Sequence, residues 1–293
     1  MCSESPCLAL RYTAAAVIRV AKPSAALAPL VRWYVHVEAL LTAGAVRQPI
    51  SARTTPVLEF TFGNPYGIWL GAQSRPEVAP AVAVIGMKTY RRVELELRGR
   101  VETFVIVFEP GGLSRLFELR ADALTDVHFE GAAVLGRGVD ELWSRLAESG
   151  SFAERIAVAE SYLLPRLGAA RSPSAVAAAA SALLRGAALR IPKFAEEAGL
   201  GVRQFERRFG AEIGVAPKLF ARVARFEIAF QRKRQEPALR WTDIAQDLGY
   251  YDQSHMGREF SELAGSTPSA LASQPDVFAM PRPSRGAQFR SAG

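Results

Sequence analysis

Two stretches about fifty residues apart say nearly the same thing, and that repeat constrains the fold more than any other feature of the chain. Phe194-Ala195-Glu196-Glu197-Ala198-Gly199-Leu200 is echoed by Ile244-Ala245-Gln246-Asp247-Leu248-Gly249-Tyr250. The echo continues through Phe209 and Phe260, Gly214 and Gly265, and Pro217 and Pro268. Each copy predicts a short helix, a glycine able to take positive φ at its end, and a second amphipathic helix. That is the pattern of a helix-turn-helix, whose second helix enters the DNA major groove.

Charge supports the same half of the chain. Up to residue 170 there are 18 Lys+Arg against 17 Asp+Glu, and beyond it 18 against 12, so almost all of the net +7 lies with the repeat. A basic half suits a polyanionic partner. The length of 293 residues predicts two domains of about 150 each. Cys2 and Cys7 are the only cysteines and sit at the N-terminus, so they read as unpaired tail thiols. Lacking a disulfide framework, a basic-plus-apolar leader or an apolar run of about 18 residues, the chain is expected to be cytoplasmic and off the membrane.

From Thr55 to Phe108 the hydrophobic period is mostly two. Leu58, Phe60 and Phe62 alternate with Glu59 and Thr61, and Val93, Leu95 and Leu97 with Glu94 and Glu96. Val82 to Ile85 and Phe104 to Phe108 are apolar on both parities, as strands covered on both faces are. Several short antiparallel strands in this span predict a barrel or sandwich. After Pro110-Gly111-Gly112 the period turns helical, and a second helical block spans Val139 to Leu167 with Leu142, Trp143, Leu146, Ile156, Ala159, Tyr162 and Leu163 along one side. That stripe packs either on its own domain or across a dimer.

In the first repeat the recognition helix starts near Val202, with Phe205 and Phe209 facing inward and Arg203, Glu206, Arg207 and Arg208 outward. Arginine can fork two hydrogen bonds onto guanine O6 and N7 or bond a phosphate. Arg203 and Arg207 therefore read as the base-reading pair and Arg208 as a phosphate contact, while Glu206 either orients an arginine or accepts from cytosine. In the second repeat Thr242 is the expected cap of the supporting helix and Asp252 of the recognition helix. Gln253, Ser254, His255 and Arg258 are left facing out, and Gly257 weakens that helix by about 1 kcal/mol relative to alanine. Pro217 to Arg234 predicts one connecting helix of about 27 Å, near the roughly 34 Å between successive major grooves on one face of DNA. Arg222, Arg225, Arg232, Lys233 and Arg234 flank its apolar stripe as further candidates for phosphate.

These residues carry a resemblance. Ala198 to Phe209 with Gly214-Val215-Ala216-Pro217-Lys218, and Asp243 to Met256 with Arg258-Glu259-Phe260 and Gly265-Ser266-Thr267-Pro268, are similar to the two units of the AraC/XylS family of bacterial transcription regulators. Gly201 departs from it, where Ser or Thr is usual, and Gly257, where a larger residue is usual. The resemblance implies an α+β chain: an N-terminal cupin-like β-barrel effector domain with flanking helices, and a C-terminal all-α domain of seven helices with two helix-turn-helix units. The expected divisions are a sensor domain at 1–138, a helical dimerisation segment at 139–168, a linker at 169–174, the DNA-binding domain at 175–274 and a loose basic tail at 275–293. Expected partners are double-stranded DNA, a small-molecule effector, a second copy of the chain and RNA polymerase, with no membrane.

Catalytic and metal signatures are weak. There is no phosphate loop, no Gly-x-Ser-x-Gly and no cysteine beside a base, so an enzyme is not expected. His36, His128 and His255 are the only histidines, and none pair at ligand spacing. Cupin-like barrels can bind metal through histidines and a carboxylate, which singles out His36, His128 and Glu130, but no metal or cofactor is expected. Trp33, Phe60, Phe62 and Trp69 are the aromatic candidates for lining an apolar effector pocket. Two readings remain: a DNA-binding regulator that senses a small molecule, and an effector-independent one whose N-terminal domain only dimerises or binds another protein.

Overall fold

Two long strands organise the N-terminal half. In the computed structural model, which describes residues 17–71, 73–90, 93–168, 170 and 174–273, β2 (Val31–Ile50) runs antiparallel to β7 (Val93–Phe108) along nearly its whole length. The far edge of β7 is shared: β3 (Val57–Thr61) pairs with its C-terminal part and β4 (Gly67–Leu70) with its N-terminal part. β1 (Val17–Ala21) extends the sheet beyond β2, β5 (Glu77–Val78) beyond β4, and β6 (Val82–Ile85) then β8 (His128–Glu130) beyond β3. Every pairing is antiparallel.

The expected barrel does not form. Among the described residues the sheet is open, with order β1-β2-β7-β3-β6-β8 and no pairing between its two ends. Closure needs the end strands to hydrogen-bond each other, and β8 has only three residues before the chain turns at Gly131 into α2 (Gly131–Leu135). Gly131 packs so closely on β6 that an added Cβ would lie 2.5 Å from Val82 Cγ1. The α+β division into a sheet domain and a helical domain holds, whereas the closed cupin-like barrel is replaced by a curled open sheet.

Both faces of the sheet are covered, which is why all five residues of β3 are buried. One face, with Tyr34, Leu58, Phe60, Val84, Phe104 and Ile106, packs under α1 (Gly112–Phe117), α3 (Gly138–Glu148) and α4 (Phe152–Leu163). Of the α3 and α4 stripe, Leu142, Leu146, Ala159 and Leu163 are spent on this packing, whereas Trp143, Ile156 and Tyr162 are half-buried. Ser151 caps α4 by accepting from Glu154 N at 3.2 Å. Arg155 pins the helix to the sheet: it donates to Glu102 Oε1 at 2.8 Å and to Leu146 O at 3.0 Å, and lies 3.0 Å from His36 Nε2.

The C-terminal half comprises α5 (Ala175–Leu184), α6 (Ile191–Glu197), α7 (Val202–Ile213), α8 (Pro217–Gln235), α9 (Trp241–Asp247), α10 (Gln253–Ala264) and α11 (Pro268–Ala272). Gly199 and Gly249 take φ of 64° and 69° at the two turns, the conformation that glycine alone adopts without strain. One core holds the seven helices together, with Phe205, Phe209, Phe220, Phe226, Phe260, Ile244 and Met256 almost fully buried. Ala52 and Met87, from the sheet domain, are part of the same core. Cys2, Cys7 and the expected tail at 275–293 lie outside the described residues, as does most of the expected linker.

Candidate nucleic-acid interface

In α7 the residues Phe205, Phe209 and Ile213 are buried, and their spacing fixes which side faces out. Val202, Arg203, Gln204, Arg207 and Arg208 are exposed and Glu206 is half-buried. Arg203, Glu206 and Arg207 make no ion pair among the described residues. Gly201 is the N-cap and supplies no side-chain acceptor, so the N–H groups of the first turn stay open at the end of the helix that would meet DNA.

In α10 Asp252 caps the helix, its carboxylate accepting from His255 N at 2.6 Å. Gln253, Ser254 and Arg258 are exposed, but His255 is half-buried with its ring edge-on to Tyr250 at 5.6 Å. Thr242 is not the cap of the supporting helix. Arg240 takes that position, two residues earlier, with Trp241 buried as the first residue of the helix, and it bonds Asp243 through Nε at 3.1 Å and Nη2 at 2.9 Å.

The cations of α8 are mostly spent inside the domain. Arg222 bonds Glu259 and Glu262, Arg225 bonds Glu259 and lies over the Tyr250 ring at 4.2 Å, and Arg232 bonds Asp247. Lys233 donates to Pro237 O and Leu239 O, and Arg234 stacks on Phe230. Glu259, 2% exposed, is the hub that sequence reasoning missed. Its position was legible: Met256, Glu259, Phe260 and Leu263 follow the buried helical period, and an acid there needs partners. Burial pushes its carboxyl up, but hydrogen bonds from Arg225, Tyr250 and Arg222 outweigh that and hold it below the usual range. Two exposed apolar residues at the mouths of the recognition helices were also missed, Val202 and Tyr251, the latter 92% exposed.

The aromatic effector candidates are not gathered in one place. Trp33 belongs to the face opposite the helices, Phe60 and Phe62 pack on the helical side, and Trp69 on β4 sits under Arg47, 3.9 Å from ring centre to guanidinium. The face holding Trp33, Val35, Val37, Val57, Ile85, Val105 and Val107 also carries ionisable groups. Tyr66 donates to Glu59 Oε1 at 2.5 Å, and Lys88 Nζ is 3.4 Å from His128 Nδ1. Burial pushes the Glu59 carboxyl up despite Tyr66 and Arg53. Burial, then Arg53, lowers Lys88 to about 8; burial, then Lys88 and Arg53, lowers His128 to about 3. His36 pairs across from Phe104 on the helical face, whereas His128 pairs across from Ile85 on the other, so these two candidates do not converge. Among the described residues no three His, Cys, Asp or Glu are placed to hold a metal, and no helix is long and apolar enough to cross a membrane.

With this geometry in place, comparison with known proteins is informative for one half. The family described as "Helix-turn-helix domain" matches residues 194–274, from α6 to the end of the described chain. Residues 194–274 form a helix-turn-helix domain. A second family, described as "Domain of unknown function (DUF6597)", matches residues 19–130, the extent of the sheet. No curated protein matches the chain. Among solved structures the chain is similar to ToxT from Vibrio cholerae. An apo lysine-to-alanine variant aligns at 10% identity and TM-score 0.46, over 82% of this chain and 96% of that one. The wild-type protein with unsaturated fatty acid bound aligns at 8% identity and TM-score 0.46, over 89% and 96%. A form bound to (E)-4-(8-methylnaphthalen-1-yl)but-3-enoic acid aligns at 12% identity and TM-score 0.41, over 78% and 97%. Likeness this distant carries no argument about what this chain binds.

Proposed function

We propose that the chain is a sequence-specific DNA-binding transcription regulator of the AraC/XylS type, whose N-terminal domain senses a small molecule. The observation that carries the DNA reading is the division of the arginines. Arg222, Arg225 and Arg232 along α8 are engaged by carboxylates, while Arg203, Arg207 and Arg258 stand exposed on the two recognition helices with no acidic partner among the described residues. Arginines left unpaired on the outward faces of two recognition helices suit guanine edges and phosphates. Arg208 is assigned to phosphate, and Glu206, Gln253, Ser254 and His255 complete the two reading faces. The faces differ, so one chain reads a directional element, with α8 holding both units on one side of the duplex.

The test is a binding titration on the preferred sequence selected from random duplexes. Arg207→Ala and Arg258→Ala are each expected to cost about 1–3 kcal/mol and to relax preference at one base position. Uniform weakening across sequences would remove them from the base-reading set. Sensing rests on two buried pairs on the sheet side opposite the helices, Glu59 with Tyr66 and Lys88 with His128, because ionisable groups shifted by burial and by a charged neighbour are candidates for a binding site. A metabolite library screened by thermal shift on the full chain decides it. Absence of any stabilising compound leaves the effector-independent reading.

A further inference from the structure

An α-helix leaves its last four carbonyls without intrahelical partners. In both recognition helices one of these is satisfied from the sheet domain. Ser114 Oγ, on α1, donates to Glu212 O of α7 at 2.7 Å, and Ala52 N donates to Leu263 O of α10 at 2.8 Å. Just past the end of α7, Thr125 Oγ1 donates to Gly214 O at 2.9 Å. Each hydroxyl also faces a nearer carbonyl in sequence, Gly111 O at 3.0 Å for Ser114 and Ala121 O at 3.3 Å for Thr125, so its single proton goes to the shorter bond across the domain boundary. The approach is close on both sides, at two glycines whose φ of 74° and 114° disfavours any side chain. A Cβ on Gly111 would meet Glu212 Oε1 at 2.9 Å, and one on Gly214 would meet Thr125 Oγ1 at 2.7 Å.

Two of the three donors, the Ala52 N–H and the Thr125 hydroxyl, hang from one piece of backbone. Arg53, next to Ala52, exchanges both hydrogen bonds with Lys88, at 2.8 and 2.9 Å. Asp126, next to Thr125, donates to Met87 O at 3.0 Å, and its carboxylate accepts from Thr89 N at 2.8 Å and Thr89 Oγ1 at 2.5 Å. Residues 87–89 therefore carry both the clasp on α7 and the clasp on α10. α8 joins the same two helices, through Phe209 on Phe220 and Phe226 on Phe260, and is itself bonded to the sheet domain, Thr54 Oγ1 donating to Glu227 Oε2. Both recognition helices are thus fixed to α8 by aromatic packing and to the sheet domain at their C-terminal ends, and α8 is tied to the sheet domain as well.

We propose that the sheet domain is a splint that sets the separation at which the two recognition helices meet DNA, with Ser114, Thr125 and the Ala52 N–H as its positioning groups. This rests on the DNA reading proposed above. A rigid bivalent binder keeps its full avidity only where both sites are in register, whereas a loosened one tolerates mismatch in spacing.

The test uses the full chain and its Thr125→Val variant, which is isosteric at a half-buried position, with Ser114→Ala as a second variant. Preferred duplexes are selected from a random library, and affinity is then measured on versions with one or two base pairs added or removed between the two contacted elements. The wild type is expected to lose about tenfold or more per base pair, and the variants about threefold or less, with the preferred bases within each element unchanged. Thr125→Ser is expected to restore the sharp spacing profile, because it restores the hydroxyl. Variants that melt cooperatively and keep the wild-type spacing profile overturn the splint while leaving DNA reading intact. A wild type that enriches no sequence overturns the DNA reading itself, and the splint with it.

Discussion

Replacing Glu259 by glutamine tests how the second recognition helix is held. The carboxylate accepts from Tyr250 Oη at 2.8 Å, from Arg225 Nη2 and Nε at 2.8 and 3.3 Å, and from Arg222 Nε at 3.2 Å. Glutamine keeps the shape but exchanges one acceptor oxygen for an amino group, which then faces a donor. Breaking a buried ion pair costs roughly 3–5 kcal/mol when the surviving charge stays buried. Here Arg222 keeps Glu262 at 2.5 Å and the Arg225 side chain is 27% exposed, so water recovers part of the loss. About 2–3 kcal/mol remains. If the helical half unfolds as one unit of about 100 residues, that lowers its midpoint by about 10 °C or more. Urea unfolding of the full chain followed by circular dichroism measures it. The sign with pH is fixed: the Glu259 carboxyl is held low in the folded state, so its contribution is complete above the unfolded carboxylate value and disappears as pH falls through the folded one. The gap between wild type and variant should therefore narrow below about pH 4. A gap under about 0.5 kcal/mol at pH 7, or one that does not change with pH, would refute the hub.

Gly257 lies inside α10 with nothing within 4 Å of an added Cβ, so Gly257→Ala should raise stability by about 1 kcal/mol in the same urea assay. Lys88 is 2% exposed and its amine is lowered from 10.5 to about 8, so the folded state resists its protonation. Its destabilising contribution is full below pH 8 and fades as pH rises toward 10.5. Lys88→Met should therefore stabilise by about 1–2 kcal/mol at pH 7, with the advantage shrinking above pH 8, and a destabilised variant would show the ammonium to be satisfied.

The helical half was legible because its signals are local. Gly199 and Gly249 mark turns, Pro192 and Pro217 mark first turns, and the phenylalanines fall at helical spacing, so the helices of the two units and the long one between them lie close to where the residues place them. The sheet was legible only in part. β2 carries Trp33, Val35, Val37, Ala39 and Leu41 at period two, yet it escaped notice beside the stronger run from Leu58. Whether the sheet closes depends on which strands pair at its ends, and no residue of β1 or β8 announces that it lacks a partner. The docking of Ala52, Ser114 and Thr125 onto the helical half joins residues about 90 to 210 positions apart, beyond the reach of any periodicity.

The two recognition helices look like copies in sequence but are stabilised by different physics. α7 has an uncapped start at Gly201 and is held by aromatic packing, Phe194 on Phe205, Phe205 on Phe209 and Phe209 on Phe220. α10 has a capped start at Asp252, a weakening Gly257, and a charged staple through Glu259 to α8 and to Tyr250. Apolar burial is insensitive to acid and only weakly to moderate salt, whereas an ion-pair hub fails once its carboxylate is protonated. Acid should therefore loosen α10 before α7, so the second element of the DNA site is lost first and the arginine-rich face of α7 remains. If the two helices read DNA as proposed, their different supports mean that the two half-sites respond differently to acid even under conditions where both still bind.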